Sequence, residues 1–176
     1  MLSWLTVISA LWMTSILPTE SEKNSCDRIK NGTLTLRAEE IADLSYFCHC
    51  TIDQLKLKSG IFRDLPPCFE GKRIESLHLE KIRPATFPDG ILKLEGLKEL
   101  SFRQTDLAFL PNEVSRLSSL KILDLRGTSI SSLPEGLDHL YKIDLRLTEL
   151  NKAEQEAIRA QYPKVKIYFS SPCNCH

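Results

Sequence analysis

The chain of 176 residues is long enough for one folded domain, and its 42% hydrophobic and 26% charged residues are typical of a globular protein rather than a disordered one. The 23 Lys and Arg residues balance 23 Asp and Glu residues, which argues against a nucleic-acid-binding protein, since such proteins need a basic excess to neutralise phosphates. Leucine is unusually frequent, with 28 residues against only 7 glycines, and this favours a helical bundle, a coiled coil or a repeat array.

The amino-terminal segment is predicted to be a signal peptide spanning residues 1–21. Residues 2–17 contain no charged side chain, but they are too few for a bilayer-spanning helix, which needs about 20 residues. No Lys or Arg precedes the apolar run and no A-x-A cleavage site follows it, so an uncleaved anchor is the alternative. We therefore expect a secreted, periplasmic or cell-surface protein that contacts a membrane only if this segment is retained.

Residues 22–51 differ from the rest of the chain and are predicted to form an amino-terminal cap. Leu34 and Leu36 alternate with polar residues, which predicts a short strand. Ile41, Leu44 and Phe47 then recur at a spacing of three, which predicts one face of a helix.

Residues 52–149 contain a repeat of about five units. A key apolar position recurs at spacings of 22, 23, 23 and 20, and a Leu-Pro or Phe-Pro pair follows most of its occurrences. Each L-x-L segment alternates and predicts a strand with its leucines facing inward. Pro111 and Pro134 lie where a first helical turn tolerates a missing N–H, and the segment after each is expected to be a loop, a 3₁₀ turn or a short helix. The key positions are Leu55, Leu77, Leu100, Leu123 and Ile143.

These units resemble the leucine-rich repeat family, in the 23-residue subclass of secreted bacterial and plant disease-resistance-like proteins. The position usually held by Asn carries Thr105, Thr128 and Thr148, whose hydroxyls can still bond a turn, whereas Ile82 cannot and predicts a looser turn in the second unit. The resemblance implies an α/β solenoid with five or six short parallel strands on a concave sheet and loops, 3₁₀ turns or short helices on the convex side. It also implies a non-enzymatic module that binds a protein or peptide on the concave face.

Residues 150–176 are predicted to form a carboxy-terminal cap and a cysteine tail. Asn151 is a good N-cap with Glu154 three residues later, and Pro163 ends the predicted helix. A last edge strand is then expected, with Val165, Ile167 and Phe169 facing inward.

The six cysteines predict a disulfide framework behind the signal peptide. The two ends of a solenoid are too far apart to be bridged, so the four amino-terminal cysteines are expected to pair among themselves. We favour Cys26 with Cys48 or Cys50, and Cys68 with the other. Cys173 and Cys175 remain as a tail that is paired within itself, paired between molecules, or free.

Two alternatives to a protein-binding function come from other classes. The clusters Cys48-His49-Cys50 and Cys173-Asn174-Cys175-His176 carry ligands that soft metals favour, although their spacing is C-x-C rather than the C-x₂-C of zinc sites. A structural role at the cell surface or envelope would require an anchor. No metal or other cofactor is predicted. The sequence lacks H-E-x-x-H, G-x-S-x-G, P-loop and G-x-G-x-x-G motifs, so no enzyme and no catalytic residue is predicted.

The concave face is the candidate binding surface, because residues beside the inward leucines point to it. Stacked strands place three arginines about 4.8 Å apart, where they repel each other unless negative charge lies among them. Two aspartates neutralise part of this ladder, but one arginine stays unmatched and Lys142 adds another charge. We therefore predict that an acidic or mixed-charge partner segment binds Arg103, Arg126, Arg146, Asp124, Asp144 and Ile122.

Overall fold

The computed structural model describes residues 25–83 and 86–171, and within these ranges it forms a solenoid around one parallel sheet. Seven strands follow each other in chain order, against the five or six expected, because strands in both caps join the sheet. The predicted signal peptide and the cysteine tail lie outside the described residues. The strands are β1 (Thr33–Arg37), β2 (Gln54–Ile61), β3 (Ser76–Arg83), β4 (Glu99–Arg103), β5 (Ile122–Asp124), β6 (Lys142–Leu145) and β7 (Lys166–Phe169).

The leucines of successive units stack on each other through the whole sheet. Leu77 pairs with Leu100, Leu100 with Leu123, and Leu123 with Ile143, and all four side chains are fully buried. One unit alone exposes an apolar edge, and stacking covers that edge with the next unit. The register predicted from the repeat is therefore confirmed.

The convex side consists of loops and 3₁₀ helices, as expected. Pro111 is the N-cap of the helix that spans Asn112–Arg116. The segment directly after Pro134 is a loop, which is one of the expected forms. It belongs to the shortest unit, from Leu123 to Ile143. The 3₁₀ helices span Cys26–Arg28, Ala38–Phe47, Pro67–Phe69, Asn112–Arg116 and Asp89–Lys93.

The helix of the amino-terminal region is a 3₁₀ helix over Ala38–Phe47. A 3₁₀ helix has three residues per turn, so side chains three apart lie on the same side. Ile41, Leu44 and Phe47 accordingly all face the core and are at most 4% exposed. The spacing of three thus specifies this tighter helix, which covers the open end of the leucine stack.

The second unit has no loose turn at Ile82, so that prediction is wrong. Ile82 is buried inside β3 and pairs with Gly60 of β2. Ser59 and Lys81 adopt positive φ angles of 54° and 53°, and the two strands resume pairing after these residues. An apolar side chain here extends the sheet instead of loosening the turn.

The threonines in the usual Asn position bond their own turns. The Thr128 hydroxyl donates to the Leu125 carbonyl at 2.7 Å, and the Thr148 hydroxyl donates to the Leu145 carbonyl at 2.6 Å. Thr105 is buried, and its hydroxyl has no hydrogen-bond partner among the described residues. Two of the three threonines therefore satisfy a turn carbonyl.

The carboxy-terminal end of the solenoid is covered by a helix, α1 (Lys152–Gln161), and by β7. The Glu154 backbone N–H donates to Asn151 Oδ1 at 3.0 Å, and the Asn151 N–H donates to Glu154 Oε2 at 2.8 Å. This reciprocal capping box satisfies two amide groups at the helix start, as the sequence predicted.

Candidate functional site

The six predicted binding residues lie together on the concave face of the last strands. Arg103 ends β4, and Arg126 follows β5. The Gln104 N–H donates to the Arg126 carbonyl at 2.8 Å, and the Gly127 N–H donates to the Arg146 carbonyl at 3.0 Å. Backbone pairing therefore continues past β5 and holds the three arginines side by side. We call five of these residues the arginine–aspartate row: Arg103, Asp124, Arg126, Asp144 and Arg146.

The row is a continuous network of ion pairs. Asp124 accepts from Arg103 Nε at 2.7 Å and from Arg126 through Nε at 3.0 Å and Nη2 at 2.8 Å. Asp144 accepts from Arg146 through Nε at 2.9 Å and Nη2 at 2.7 Å, while Arg126 Nε lies 3.6 Å away. Bidentate pairs of this kind hold a guanidinium group in one plane. Each arginine in the row is thus positioned before any partner arrives.

The aspartates lie beneath the arginines. The side chains of Asp124 and Asp144 are 6% and 1% exposed, whereas those of Arg103 and Arg146 are 44% and 46% exposed. The carboxylates therefore serve as a buried negative layer, and the guanidinium groups form the surface that a partner meets. Ile122 is half-buried and lies beside Lys142 across β5 and β6.

Both aspartates keep their charge to a lower pH than an ordinary aspartate, because the pKa of each is lowered. Burial by itself raises the pKa of Asp124, but hydrogen bonds from Arg126 and Arg103 outweigh it, so the pKa lies below its usual value. Burial likewise raises the pKa of Asp144, and hydrogen bonds from the Arg146 side chain and backbone reverse the effect. Because the folded pKa values are depressed, the stabilisation is complete above the ordinary aspartate pKa and is lost as the pH falls below it.

Replacing Asp144 with asparagine is expected to lower the free energy of unfolding at pH 7 by about 1–3 kcal/mol. The substitution keeps the shape and one acceptor but leaves the neighbouring cations without their buried counter-charge. Solvent screens these exposed cations, so the cost is below that of a fully buried pair. Urea unfolding at pH 7 and at pH 3 measures the effect, and the difference between variant and parent should shrink at pH 3.

Glu75→Gln is the matched control, because Glu75 also pairs across strands, with Lys98 at 2.7 Å, but both partners are exposed. We expect little change in stability from this substitution. Equal effects of the two substitutions would show that the buried position of Asp144 confers no special stabilisation.

The structure adds residues that the sequence analysis did not select as binding residues. Tyr168 of β7 pairs with Asp144 of β6 and extends the concave face by one strand. Three cations surround its ring: Lys142 Nζ lies 5.1 Å from the ring centroid, Lys166 Nζ 5.6 Å and Arg146 Cζ 5.8 Å. The alternation of Ile167 and Phe169 could have placed Tyr168 on this face.

His78 and Ser101 lie on the same face in the middle of the sheet, where the predicted register placed them. Burial lowers the pKa of His78, so its imidazole is mostly neutral at pH 7. Ser101 is 1% exposed, and its hydroxyl has no partner among the described residues. No hydrogen bond joins these two side chains in the described structure, so they form no nucleophile–base pair.

A cavity with a volume of about 880 Å³ lies elsewhere, on the convex side. Phe109, Leu133, Pro134 and Gln161 are among the residues that line it. None of the predicted binding residues borders this cavity.

Two disulfides join the amino-terminal cap to itself and to the first repeat, as the sequence predicted. Cys26 pairs with Cys50 and Cys48 with Cys68, at Cα separations of 5.6 and 5.5 Å. Disulfides persist in oxidising compartments and indicate an extracellular environment. The potential ligand atoms of Cys26, His49 and Cys50 lie within 4.8 Å of each other, but both sulfur atoms are engaged in the disulfide. No helix within the described ranges is long and apolar enough to cross a membrane.

Comparison with known proteins identifies the fold. No family model and no curated protein matches the chain. Among solved structures, a leucine-rich repeat protein of Leptospira interrogans is similar, with a TM-score of 0.56 and 22% sequence identity. The match covers 73% of this chain and 39% of that protein, so this chain spans about two fifths of its length.

This likeness and the seven parallel strands show that the chain has an α/β leucine-rich repeat solenoid fold. Solenoids of this type present extended concave surfaces, which suit the binding of other proteins, and the fold is typically non-catalytic. The assignment to the 23-residue subclass stays a prediction.

Proposed function

We propose that this protein is a secreted or cell-surface, non-enzymatic binding module, and that the carboxy-terminal half of its concave face binds an acidic or mixed-charge segment of a partner protein. One observation carries the proposal: the arginine side chains of the arginine–aspartate row are held in place by buried carboxylates and remain 27–46% exposed. Arginines fixed in this way lose little conformational entropy on binding, and their planar forks match carboxylates. The binding residues are Arg103, Arg126, Arg146, Asp124, Asp144 and Ile122.

The charges of the face support an acidic partner. Among the described residues, two carboxylates lie within ion-pair distance of four cations on this face: Asp124 and Asp144 serve Arg103, Arg126, Arg146 and Lys142. The site therefore keeps a positive excess although the whole chain is neutral. Complementary charge increases association rates and excludes basic partners.

Replacing Arg126 with alanine is expected to weaken binding of a captured partner by more than about 1 kcal/mol, or roughly fivefold in Kd. Arg126 lies at the centre of the row, where it contacts both aspartates. Isothermal titration calorimetry at two salt concentrations measures the loss, and the variant should also show a weaker salt dependence. A thermal melt of each variant checks that the fold is intact.

Glu113→Ala and Glu135→Ala on the convex side are the controls, since both side chains are exposed and distant from the row. We expect neither to change the affinity. The concave-face proposal fails if Arg126→Ala binds like the parent while the convex substitutions abolish binding.

A further inference from the structure

Several positive side chains lie close together at the carboxy-terminal end of the concave face, and Arg37, Lys56 and Lys58 carry positive charge in its amino-terminal half. In the amino-terminal half, Lys58 is paired with Glu80 at 3.3 Å. Along the arginine–aspartate row, Arg103 and Arg126 share Asp124. Beyond the row, among the described residues, no carboxylate lies within ion-pair distance of Lys166. We call a group of four residues at this end the cationic corner. It consists of Lys142 of β6, Arg146 directly after β6, and Lys166 and Tyr168 of β7.

Two separate positive points exist in the cationic corner. Lys142 Nζ and Arg146 Nη2 reach the same oxygen, Oδ2 of Asp144, at 3.9 and 2.7 Å. They therefore lie close enough for one additional anion to contact both. Lys166 forms the second point, with its ammonium group 5.6 Å from the centroid of the Tyr168 ring. Lys142 and Lys166 are direct neighbours across the sheet, so the two points are adjacent.

The side chains at the corner keep donors for a ligand. Arginine has five N–H groups, and Arg146 directs its Nε and Nη2 atoms to Asp144, which leaves N–H groups for a further acceptor. Lysine ammonium groups carry three donors each. Tyr168 offers a flat apolar ring between the cations, and aromatic side chains of this kind are enriched at the centres of protein interfaces. Lys142 pairs with Ile122 of β5, which pairs with Glu99 of β4, so the acidic residue in this row of paired residues lies two strands away from Lys142.

We propose that the cationic corner is a subsite for two neighbouring carboxylates of an acidic peptide segment, one beside Lys142 and Arg146 and the other beside Lys166, with the peptide packed over Tyr168. The inference rests on the proposed function and specifies where on the face the partner's charge is recognised. Two adjacent positive points match two monovalent carboxylates better than one compact dianion. Arg146 belongs to both the corner and the arginine–aspartate row, and the row's other arginines, Arg103 and Arg126, then contact the partner segment outside this subsite.

The test is an amide chemical-shift titration of the full chain with the blocked tetrapeptide Gly-Glu-Glu-Gly at low salt. Saturable shifts are expected at the amides of β6 and β7, with much smaller shifts at Arg103. The uncharged analogue Gly-Gln-Gln-Gly should cause none. Lys142→Gln combined with Lys166→Gln should weaken the peptide affinity at least fivefold, and Tyr168→Ala should weaken it as well. Lys58→Gln, on the same face but outside the corner, is the matched control and should leave the affinity unchanged.

Several outcomes would overturn the inference. They are an absence of saturable shifts, equal binding of the glutamine peptide, or full binding by the double lysine variant. A phosphoserine peptide of equal charge that binds tenfold more tightly would assign the corner to phosphate instead of carboxylates. Shifts centred on Arg103 and Arg126 would reject the corner but leave the proposed function standing. Shifts confined to the convex side would reject both.

Discussion

Replacing Leu123 with alanine is expected to lower the free energy of unfolding by about 2–5 kcal/mol, the range for truncating a buried leucine. Leu123 is fully buried in β5, between Leu100 of β4 and Ile143 of β6. Backbone pairing fixes the distance between these strands, so the neighbouring side chains cannot move in to fill the cavity. Urea unfolding followed by circular dichroism measures the loss.

Leu147→Ala is the matched control, because Leu147 follows β6 and is 69% exposed. Its stability should stay within about 0.5 kcal/mol of the parent. A change below about 0.5 kcal/mol for both Leu123→Ala and Leu100→Ala would contradict the observed register, since both side chains would then have to lie outside the core.

The sequence predicted the solenoid well because every unit repeats the same physical requirement. The inward-facing side chains of Leu77, Leu100 and Leu123 can be buried only by the equivalent residues of the neighbouring units. The repeat period therefore sets both the register and the parallel direction of the strands. The capping box at Asn151 was predictable for a similar reason, because it depends on residues three apart along the chain. Local spacing is enough for both features.

The turns were harder to predict, because they depend on contacts between units. The pairing of Gly60 with Ile82 extends β2 and β3. The residue type at the usual Asn position of a single unit cannot show this, because the pairing involves two units. The chain continues as a loop directly after Pro134, whereas the equivalent Pro111 precedes a 3₁₀ helix. Turn residues therefore report tertiary packing as much as local preference.

The candidate site was predictable in position but not in chemistry. Alternation along the strands placed Arg103, Arg126 and Arg146 on one face. It did not show that Asp124 and Asp144 are buried beneath them, because burial depends on how long side chains fold over shorter ones. The role of Tyr168 depends on β7 adding to the sheet beside β6, which is a property of the assembled cap.

Opening the two disulfides is expected to lower the free energy of unfolding by about 2–4 kcal/mol for each bond. The double substitution Cys48→Ser with Cys50→Ser opens both, because Cys26 is bonded to Cys50 and Cys48 to Cys68. Cys48–Cys68 attaches the end of the 3₁₀ helix over Ala38–Phe47 to the first repeat, and Cys26–Cys50 joins the two ends of the cap. Without them the unfolded chain gains freedom while the core covered by the cap depends on packing alone. Thermal and urea unfolding, with and without dithiothreitol, measure the loss.

Hydrogen exchange should locate this loss at the amino-terminal end. Each unit of a solenoid contacts only its neighbours, so β1 and β2 should lose protection first while β5 and β6 keep more of theirs. The control is the fourfold serine variant at Cys26, Cys48, Cys50 and Cys68, whose stability should not respond to reductant. A response in that variant would place the redox-sensitive group elsewhere in the chain. An unchanged melting temperature of the parent in dithiothreitol would show that the bonds do not stabilise the fold, and the cap cysteines would then have to be considered as metal ligands.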